Sequence, residues 1–294
     1  MSNTKLLDDY VNDIQLHLRE GDFNLALEEI KKAIVFYPTN PKLYINGGNI
    51  YKLLKDLNNA ELFYDKALSL HKSKEVLNNL SVICIERRNY DKAISLAKDA
   101  IEIDASYVDA LYNLALSFDS LGKYDEAEKY SSKACALDNY KQSKYLVLLF
   151  RILQNTCNWK DIPKIAEMLD HHIGDGTEHP FLNISRYDNE ESNYKVALAW
   201  NSNHPKIANK VSSPNEKIRL GYLCGEFRNH PTNHLIKNLF RFHDTSKFEI
   251  YIFSYNHDEA SRVSIEKEVT EFISLNDLDS INASKSIADH NLDI

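Results

Sequence analysis

Gly and Pro are scarce in this sequence, with 8 and 7 residues among 294. Because these residues punctuate turns, their scarcity favours long helices and argues against a loop-rich all-β protein. Positive charge is not in excess, since the formal net charge is −8. We therefore expect no general nucleic-acid binding. No apolar run approaches the roughly 20 residues that cross a bilayer, so we expect no membrane partner.

Cysteine is also rare, with four residues that lie far apart and form no CxxC motif. They are Cys84, Cys135, Cys157 and Cys224. The first 22 residues contain no apolar segment of the kind that a secretory signal carries. Reduced thiols in a cytoplasmic protein are the simplest interpretation of this pattern.

Pairs of alanines recur through the first half of the chain, seven residues apart within a pair and 33 or 34 residues from one pair to the next. The pairs are Ala26/Ala33, Ala60/Ala67, Ala93/Ala100 and Ala127/Ala134. An aromatic residue or leucine lies three positions before the first alanine of each pair, at Phe23, Leu57, Tyr90 and Tyr124. Two positions before that aromatic residue, the first and last units have a glycine, Gly21 and Gly122. The third unit has Arg88 at this position.

This is the pattern of the tetratricopeptide repeat, in which about 34 residues form one pair of antiparallel helices. Small residues let the two helices approach closely, and the larger residue fills the gap to the next pair. Four repeats over residues 1–140 predict a stable superhelix with a concave face. The segment 141–173 continues helically but drifts away from the repeat pattern.

An asparagine stands at the same position of every repeat. These residues are Asn12, Asn46, Asn79 and Asn113. Their spacing predicts that they project from the first helix of each pair onto one surface. A carboxamide has a donor and an acceptor, so such a ladder could hold the backbone of an extended peptide. The alternative is that each asparagine caps or packs locally.

The second half changes character after polar segments at 171–181 and 201–217, which we interpret as a loop and a linker. Between them, residues 189–201 look helical. Short apolar strands at 217–227 and 247–256 then alternate with helices from about His234 to His243 and over 262–272. A further strand is expected at 272–275, and a third helix over 280–294 whose last residues begin another strand. This alternation predicts a parallel, Rossmann-like sheet.

We therefore expect a mostly α protein in three regions. They are a repeat domain at 1–140, a helical extension and linker at 141–212, and a partial α/β domain at 213–294.

The polar segment "FRNHPTNHL" follows the first predicted strand, and ligands of parallel sheets bind beyond the carboxyl ends of the strands. His230 and His234 have the spacing of zinc ligands on a helix, but Pro231 lies between them and no further ligand is evident. A phosphate site at the helix N-terminus, with donors from Asn229 and Thr232, is a second interpretation, although no glycine-rich phosphate motif is present. The third interpretation is purely structural: Asn229 caps the helix and the histidines pack locally.

The region "IRLGYLCGEFRNHPTNHLIKNLFRFHDTSKFEIYIFSYNHDE" resembles the start of the catalytic region of the O-linked N-acetylglucosamine transferases and their SPINDLY-type relatives. That family has a "DF-x-NHPTSHL"-like turn, and here Glu226 replaces the usual Asp and Asn233 the usual Ser. The family also has upstream tetratricopeptide repeats and a "C-D-W"-like motif, which is matched here by Cys157, Asn158 and Trp159.

The resemblance implies a two-lobed GT-B glycosyltransferase that transfers a sugar, with GlcNAc expected, from a UDP-sugar to Ser or Thr of proteins. It implies no metal and no cofactor besides the donor substrate. By resemblance, His230 is the catalytic candidate, either as a base or as a group that positions the acceptor and phosphate. Asn229, Pro231, Thr232 and His234 are expected to bind substrate, and the asparagine ladder to hold protein or peptide substrates.

A GT-B enzyme also needs the remainder of its first lobe and a second lobe that binds most of the nucleotide. No segment of these 294 residues matches that second lobe, so we expect the chain to look truncated and to lack useful catalysis by itself. The alternative function is a repeat scaffold that binds proteins without catalytic activity.

Overall fold

The computed structural model describes residues 6–186, 188–203 and 215–294. It contains two compact units, Met1–Ser202 and Asn203–Ile294, and each is described by itself below. The first unit is helical. The second contains a parallel β-sheet with helices. The linker predicted at 201–217 lies mostly outside the described residues.

Eight helices form the predicted repeats, two per repeat. They are α1 (Leu7–Glu20), α2 (Phe23–Phe36), α3 (Pro41–Leu53), α4 (Leu57–Leu70), α5 (Lys74–Glu86), α6 (Tyr90–Ile103), α7 (Val108–Ser120) and α8 (Tyr124–Leu137). Each second helix begins at the aromatic residue or leucine that marks its repeat. The paired alanines are at most 1% exposed, which confirms that they allow close helix packing.

Close packing of a glycine against an aromatic ring joins the two helices of the second repeat. In the second repeat Gly48 of α3 faces the ring of Tyr64 on α4, which is fully buried. A β-carbon at Gly48 would lie 2.6 Å from that ring. In the fourth repeat both positions hold small residues, Ala115 in place of Gly48 and Ser131 in place of Tyr64.

The turn between the two helices of a repeat needs a left-handed residue at one position. Gly21 and Gly122 have φ angles of 80° and 70° there. Lys55 and Arg88 occupy the same position in the second and third repeats, with φ angles of 63° and 57°. The turn therefore keeps its conformation where glycine is replaced, and Lys55 and Arg88 adopt a left-handed backbone conformation that is strained for a residue with a β-carbon.

Four more helices complete the first unit. They are α9 (Ser143–Asn155), α10 (Ile162–Asp170), α11 (Pro180–Arg186) and α12 (Glu190–Ser202). Arg186 joins α11 to α10 through a fully buried side chain that contacts Glu178 at 2.8 Å and Asp170 at 2.9 Å. Within the described part of the chain, no helix is both long and apolar enough to traverse a bilayer.

The second unit contains a three-stranded parallel sheet in the order β1-β2-β3. Its strands are β1 (Ile218–Cys224), β2 (Phe248–Ser254) and β3 (Glu271–Ser274). Its helices are α13 (Pro231–Ile236), α14 (Glu259–Glu266) and α15 (Ser280–Asp289). The predicted strands and the third helix are thus confirmed.

Two helix predictions in this unit are wrong in extent. The first helix starts at Pro231 rather than near His234, ends at Ile236, and is followed by a separate 3₁₀ turn at Phe240–Phe242. The turn allows Phe240 to pack against Tyr222 and Phe227. The second helix ends at Glu266, and Glu271 and Phe272, which the sequence predicts to belong to it, pair with β2 as part of β3.

The final residues of the sequence lie along the side of β1 that β2 leaves open. The backbone N–H of Ile294 donates to the carbonyl of Arg219, and the N–H of Gly221 donates to the carbonyl of Ile294. This alternation is the hydrogen-bond pattern of a parallel pair. The prediction that the last residues begin another strand is therefore supported by their hydrogen bonds.

Candidate functional site

The predicted asparagine ladder occupies the sixth residue of each first helix. Exposure falls along it: Asn12 is exposed, Asn46 and Asn79 are half-buried, and Asn113 is only 6% exposed. Asn79 and Asn113 line one cavity of about 480 Å³ in the first unit, together with Asn78, Lys52 and other residues of α5, α7 and α9. The structure thus brings two of the four predicted residues together in one concave site.

Asn79 is held by the preceding repeat. Its Oδ1 accepts a hydrogen bond from the Lys52 ammonium at 3.0 Å, and its Nδ2 donates to Asn49 Oδ1 at 3.2 Å. Tyr64 donates to the same Asn49 oxygen at 2.6 Å. A carboxamide offers two donor hydrogens and two acceptor lone pairs, so Asn79 retains part of its capacity for a ligand.

Asn113 makes a similar bond to its neighbour, since its Nδ2 donates to Asn78 Oδ1 at 2.8 Å. The ladder positions of the third and fourth repeats therefore link successive first helices. Local packing and ligand binding are not exclusive roles here, because each carboxamide can serve both. The sequence did not identify Asn78, Asn49 or Lys52; the only signal was the Asn78–Asn79 doublet, whose first member faces the fourth repeat.

The polar turn lies beyond the carboxyl end of β1, as the sequence predicts. Gly225 follows the strand and lies against the ring of Tyr255, which comes directly after β2. Phe227 is fully buried in the core of the second unit and anchors the turn. Glu226 accepts from Arg228 at 2.8 Å, and this hydrogen bond holds the pKa of the Glu226 carboxyl below its usual value.

His230 is the N-cap of α13. It has extended backbone angles, and its Nδ1 accepts a hydrogen bond from the backbone N–H of Thr232 at 3.2 Å. Pro231 takes the first helical position. The alternative in which Asn229 caps this helix is wrong, because the imidazole of His230 performs that role.

This cap determines what the imidazole of His230 can do. When Nδ1 accepts a hydrogen bond, the neutral ring carries its proton on Nε2. In that state Nε2 is a donor, suited to a phosphate oxygen or an acceptor hydroxyl oxygen. To act as a base, the ring would have to release Thr232 or exchange its tautomer. The arrangement supports a positioning role more directly than a base role.

The neighbouring residues hold the turn against α14. His234 Nε2 lies 3.1 Å from Asn229 Oδ1. Asp258 caps α14 by accepting from the backbone N–H of Ser261 at 2.7 Å. Hydrogen bonds from Ser261, with a further one from the backbone of Asn229, hold the pKa of Asp258 below its ordinary value.

A cavity of about 310 Å³ lies beside this part of the turn, between α13 and α14. It is lined by Asn229 and His234 among the predicted residues, together with Asn233, Lys237 and Asp258. His230, Pro231 and Thr232 do not line it. Asn233 and Asp258 were not identified as site residues from the sequence, although Asn233 departs from the serine usual in the resembling family.

The geometry does not favour a zinc site at the two histidines. Each already uses a ring nitrogen, His230 toward Thr232 and His234 toward Asn229. Among the described residues, one group has the composition of a metal site, and it is formed by His17, Glu20 and Asp22 between α1 and α2. Both carboxylates of that group are exposed.

Comparison with protein families gives two matches. The model of Glycosyl transferase family 41 matches residues 193–294, which include the whole polar turn. The model of the coatomer epsilon subunit matches residues 55–147, from the second repeat into α9.

Curated relatives match short parts of the chain. Protein unc-45 homolog B of Xenopus laevis is 37% identical over 112 residues, which cover 37% of this chain and 12% of that protein. The UDP-N-acetylglucosamine–peptide N-acetylglucosaminyltransferase of Caenorhabditis elegans is 32% identical over 65 residues, covering 21% of this chain and 6% of that protein. The chain thus spans only about 12% of the length of the first relatives that it matches.

Solved structures share the helical fold. The pilF protein of Pseudomonas aeruginosa superposes with a TM-score of 0.55 at 20% identity, covering 65% of this chain and 87% of that one. A tetratricopeptide repeat protein of Parabacteroides merdae gives a TM-score of 0.52 at 22% identity, covering 66% and 75%. The first unit has the helical fold of tetratricopeptide-repeat proteins, and residues 193–294 are similar to Glycosyl transferase family 41.

Proposed function

We propose that this chain acts in the O-glycosylation of proteins, with a UDP-sugar as the donor and Ser or Thr hydroxyls as the acceptors. The observation that carries the proposal is the match of Glycosyl transferase family 41 to residues 193–294, which include the polar turn beyond β1. GlcNAc is the donor sugar to test first, because the matching relative of Caenorhabditis elegans is named for that sugar. The donor sugar of the SPINDLY-type relatives is the second one to test, because the sequence also resembles that group.

In this proposal residues 213–294 belong to the first lobe of a GT-B enzyme and form the acceptor side of its cleft. The reaction joins the acceptor oxygen to the anomeric carbon of the sugar, breaks the bond from that carbon to UDP, and releases the acceptor proton. His230 Nε2 would donate to the acceptor or the phosphate, as its cap on Thr232 favours. The same acceptor side of the cleft would be formed by Asn229, Pro231, Thr232 and His234.

The repeats at residues 1–140, extended by the helices and linker of 141–212, would hold the protein acceptor. The support is the cavity that Asn79 and Asn113 line, where carboxamides with unused capacity face a concave surface. Four free cysteines are compatible with action in the cytoplasm, which we include in the proposal.

The direct test incubates the purified chain with radiolabelled UDP-GlcNAc and a Ser/Thr-rich peptide. Label transfer that is lost in His230→Ala and kept in Asn238→Ala, an exposed residue just after α13, would support the proposal. Absence of transfer with this chain, combined with absence of transfer from a longer natural protein that contains it, would refute it.

A protein-binding scaffold without catalysis is the second candidate function. It is favoured by the match of the coatomer epsilon subunit model to residues 55–147 and by the helical fold shared with pilF. Pull-down of peptides by the wild-type chain and by the Asn46→Ala/Asn79→Ala/Asn113→Ala variant tests the ladder that both functions use. Asn24→Ala, at an exposed position of α2, is the matched control. Equal capture by all three proteins would remove the ladder from either function.

A further inference from the structure

The cavity of the first unit has an apolar floor beside the asparagine ladder. Val82 and Leu116 are the ninth residues of α5 and α7, and Ile85 lies one turn beyond Val82. The same position holds Gln15 in α1 and Asn49 in α3, so the apolar floor is confined to the third and fourth repeats. The groove therefore differs in chemistry along its length.

Two of the floor residues are turned away from the interhelical core, whereas Leu116 also packs against it. Val82 and Ile85 are half-buried, whereas Leu80 and Ile83 of the same helix are at most 3% exposed and pack inside the repeats. Apolar side chains that face a concave cavity of about 480 Å³ leave hydrophobic surface for a ligand to cover. A cavity of this size accepts one large apolar side chain.

The two lysines of the cavity differ in their partners. Lys144 pairs with Asp109 at 2.8 Å. Lys52 donates to the uncharged carboxamide of Asn79, and no carboxylate of the described residues lies within ion-pair distance of its ammonium. Burial lowers the pKa of Lys52, although the charge of Glu86 opposes that effect. A half-buried cation in this state would gain from an incoming carboxylate.

We propose that this groove selects extended peptides that carry a large apolar side chain beside an acidic one. The apolar side chain enters the cavity over Val82, Ile85 and Leu116, and the carboxylate meets Lys52. The unused donors and acceptors of Asn79 and Asn113 hold the peptide backbone between them. The inference rests on the proposed capture of peptides by the repeats and adds a side-chain preference to it.

The occupant follows from charge and shape together. A peptide backbone matches the carboxamides, which offer both a donor and an acceptor. A carboxylate matches the Lys52 ammonium, which forms no ion pair among the described residues, and an apolar side chain matches the floor. A purely basic or purely polar peptide would leave both features unused.

The test is a set of fluorescent peptides with a constant Ser/Thr-rich frame, whose two variable residues are adjacent or one position apart. Fluorescence polarisation would give the dissociation constants. We expect Leu or Phe combined with Asp to bind tightest. Replacing the apolar residue by Ala should weaken binding about ten-fold, as loss of a buried anchor does. Replacing Asp by Asn should weaken it about three-fold at low salt, and less at high salt.

Variants of the groove assign each preference to its residues. Val82→Thr/Ile85→Thr keeps a β-branched side chain at both positions, adds two hydroxyls and removes one methyl group at position 85, and it should remove the apolar preference. Lys52→Met keeps the side-chain stem and should remove the acidic preference. Val35→Thr, at a 75% exposed position of α2, is the matched control and should change neither.

The outcomes separate this inference from the function on which it rests. Equal binding of all peptides would overturn the side-chain preference and leave peptide capture standing. Absence of binding by every peptide would overturn both. An apolar preference that persists in Val82→Thr/Ile85→Thr would also overturn the inference, because the cavity would not be its source.

Discussion

Asn233 and Ser261 join the polar turn to the helix that follows β2. The Asn233 carboxamide donates to the Ser261 hydroxyl at 2.9 Å and to the backbone carbonyl of Arg228 at 3.0 Å. Asn233 is 5% exposed, so these bonds are shielded from water. One side chain thereby fixes both the segment that leads into His230 and the start of α14.

Replacing Asn233 by Ala should loosen this turn. Loss of two shielded hydrogen bonds costs about 1–3 kcal/mol, so backbone amides of residues 228–234 should exchange with deuterium about ten-fold faster or more. Hydrogen exchange followed by mass spectrometry measures this, with Asn238→Ala as the exposed control. Unchanged exchange across 228–234 would show that the turn is held by other contacts.

Replacing Arg88 or Lys55 by Gly should stabilise the repeats. Both residues have positive φ angles, which cost an L-residue about 1–2 kcal/mol, while glycine loses more chain entropy on folding. We expect a net gain of up to about 1 kcal/mol for each, measured by urea unfolding. Lys31→Gly, inside α2, should instead destabilise by about 1 kcal/mol. A loss of stability in Arg88→Gly would contradict the strain argument.

Adding a methyl group at Gly48 should destabilise the second repeat by about 1–3 kcal/mol, because the ring of Tyr64 is buried and has little room to move. Tyr64→Leu would remove the facing ring and leave a cavity. The double variant Gly48→Ala/Tyr64→Leu should be destabilised by less than the sum of the destabilisations of the two single variants. Strict additivity in a thermodynamic cycle would mean that the two residues do not compete for the same space.

Stability should depend on acid through Asp109. Burial alone would raise the pKa of this carboxyl, but hydrogen bonds from Lys144 at 2.8 Å and Tyr145 at 2.9 Å lower it overall. A lowered pKa in the folded state contributes stability above the unfolded pKa of about 3.9 and loses it as the pH falls further. The stability difference between wild type and Asp109→Asn should therefore be largest near neutral pH and shrink below about pH 4.

Urea unfolding across this pH range measures the effect. In a Lys144→Met/Tyr145→Phe background the carboxyl has neither partner, so its pH dependence should weaken. A difference in unfolding free energy between wild type and Asp109→Asn that does not change with pH would contradict the lowered pKa of Asp109 in the folded state.

The sequence predicts the helical repeats well because their period, their paired alanines and their turn position are all local signals. It also predicts the strands, since each is a short apolar run bounded by polar residues. It does not predict the end of α13 at Ile236, because no glycine or proline marks that position and the break follows the packing of Phe240 on the sheet. The sequence also predicts a helix that extends too far, to residue 272, because it does not show that the residues from Glu271 onward pair with β2.

The candidate site is less predictable than the fold. The ladder asparagines and the histidines can be found by spacing, but their partners cannot. The bonds of Asn79 to Lys52 and of Asn233 to Ser261 connect residues about 27 positions apart, and only the folded chain brings them together. The cap by His230 is also missed, because asparagine is the commoner capping residue and Asn229 directly precedes it.

The bonds that Asn79 makes to Lys52 and Asn49 have a consequence for how an empty groove meets its ligand. Side chains that restrain one another are already ordered, so docking demands little further loss of freedom from the protein. An arriving backbone that pairs with the unused donors and acceptors of Asn79 therefore meets a carboxamide that is already oriented. Discrimination between ligands would come from the surface that they cover and the charge that they neutralise.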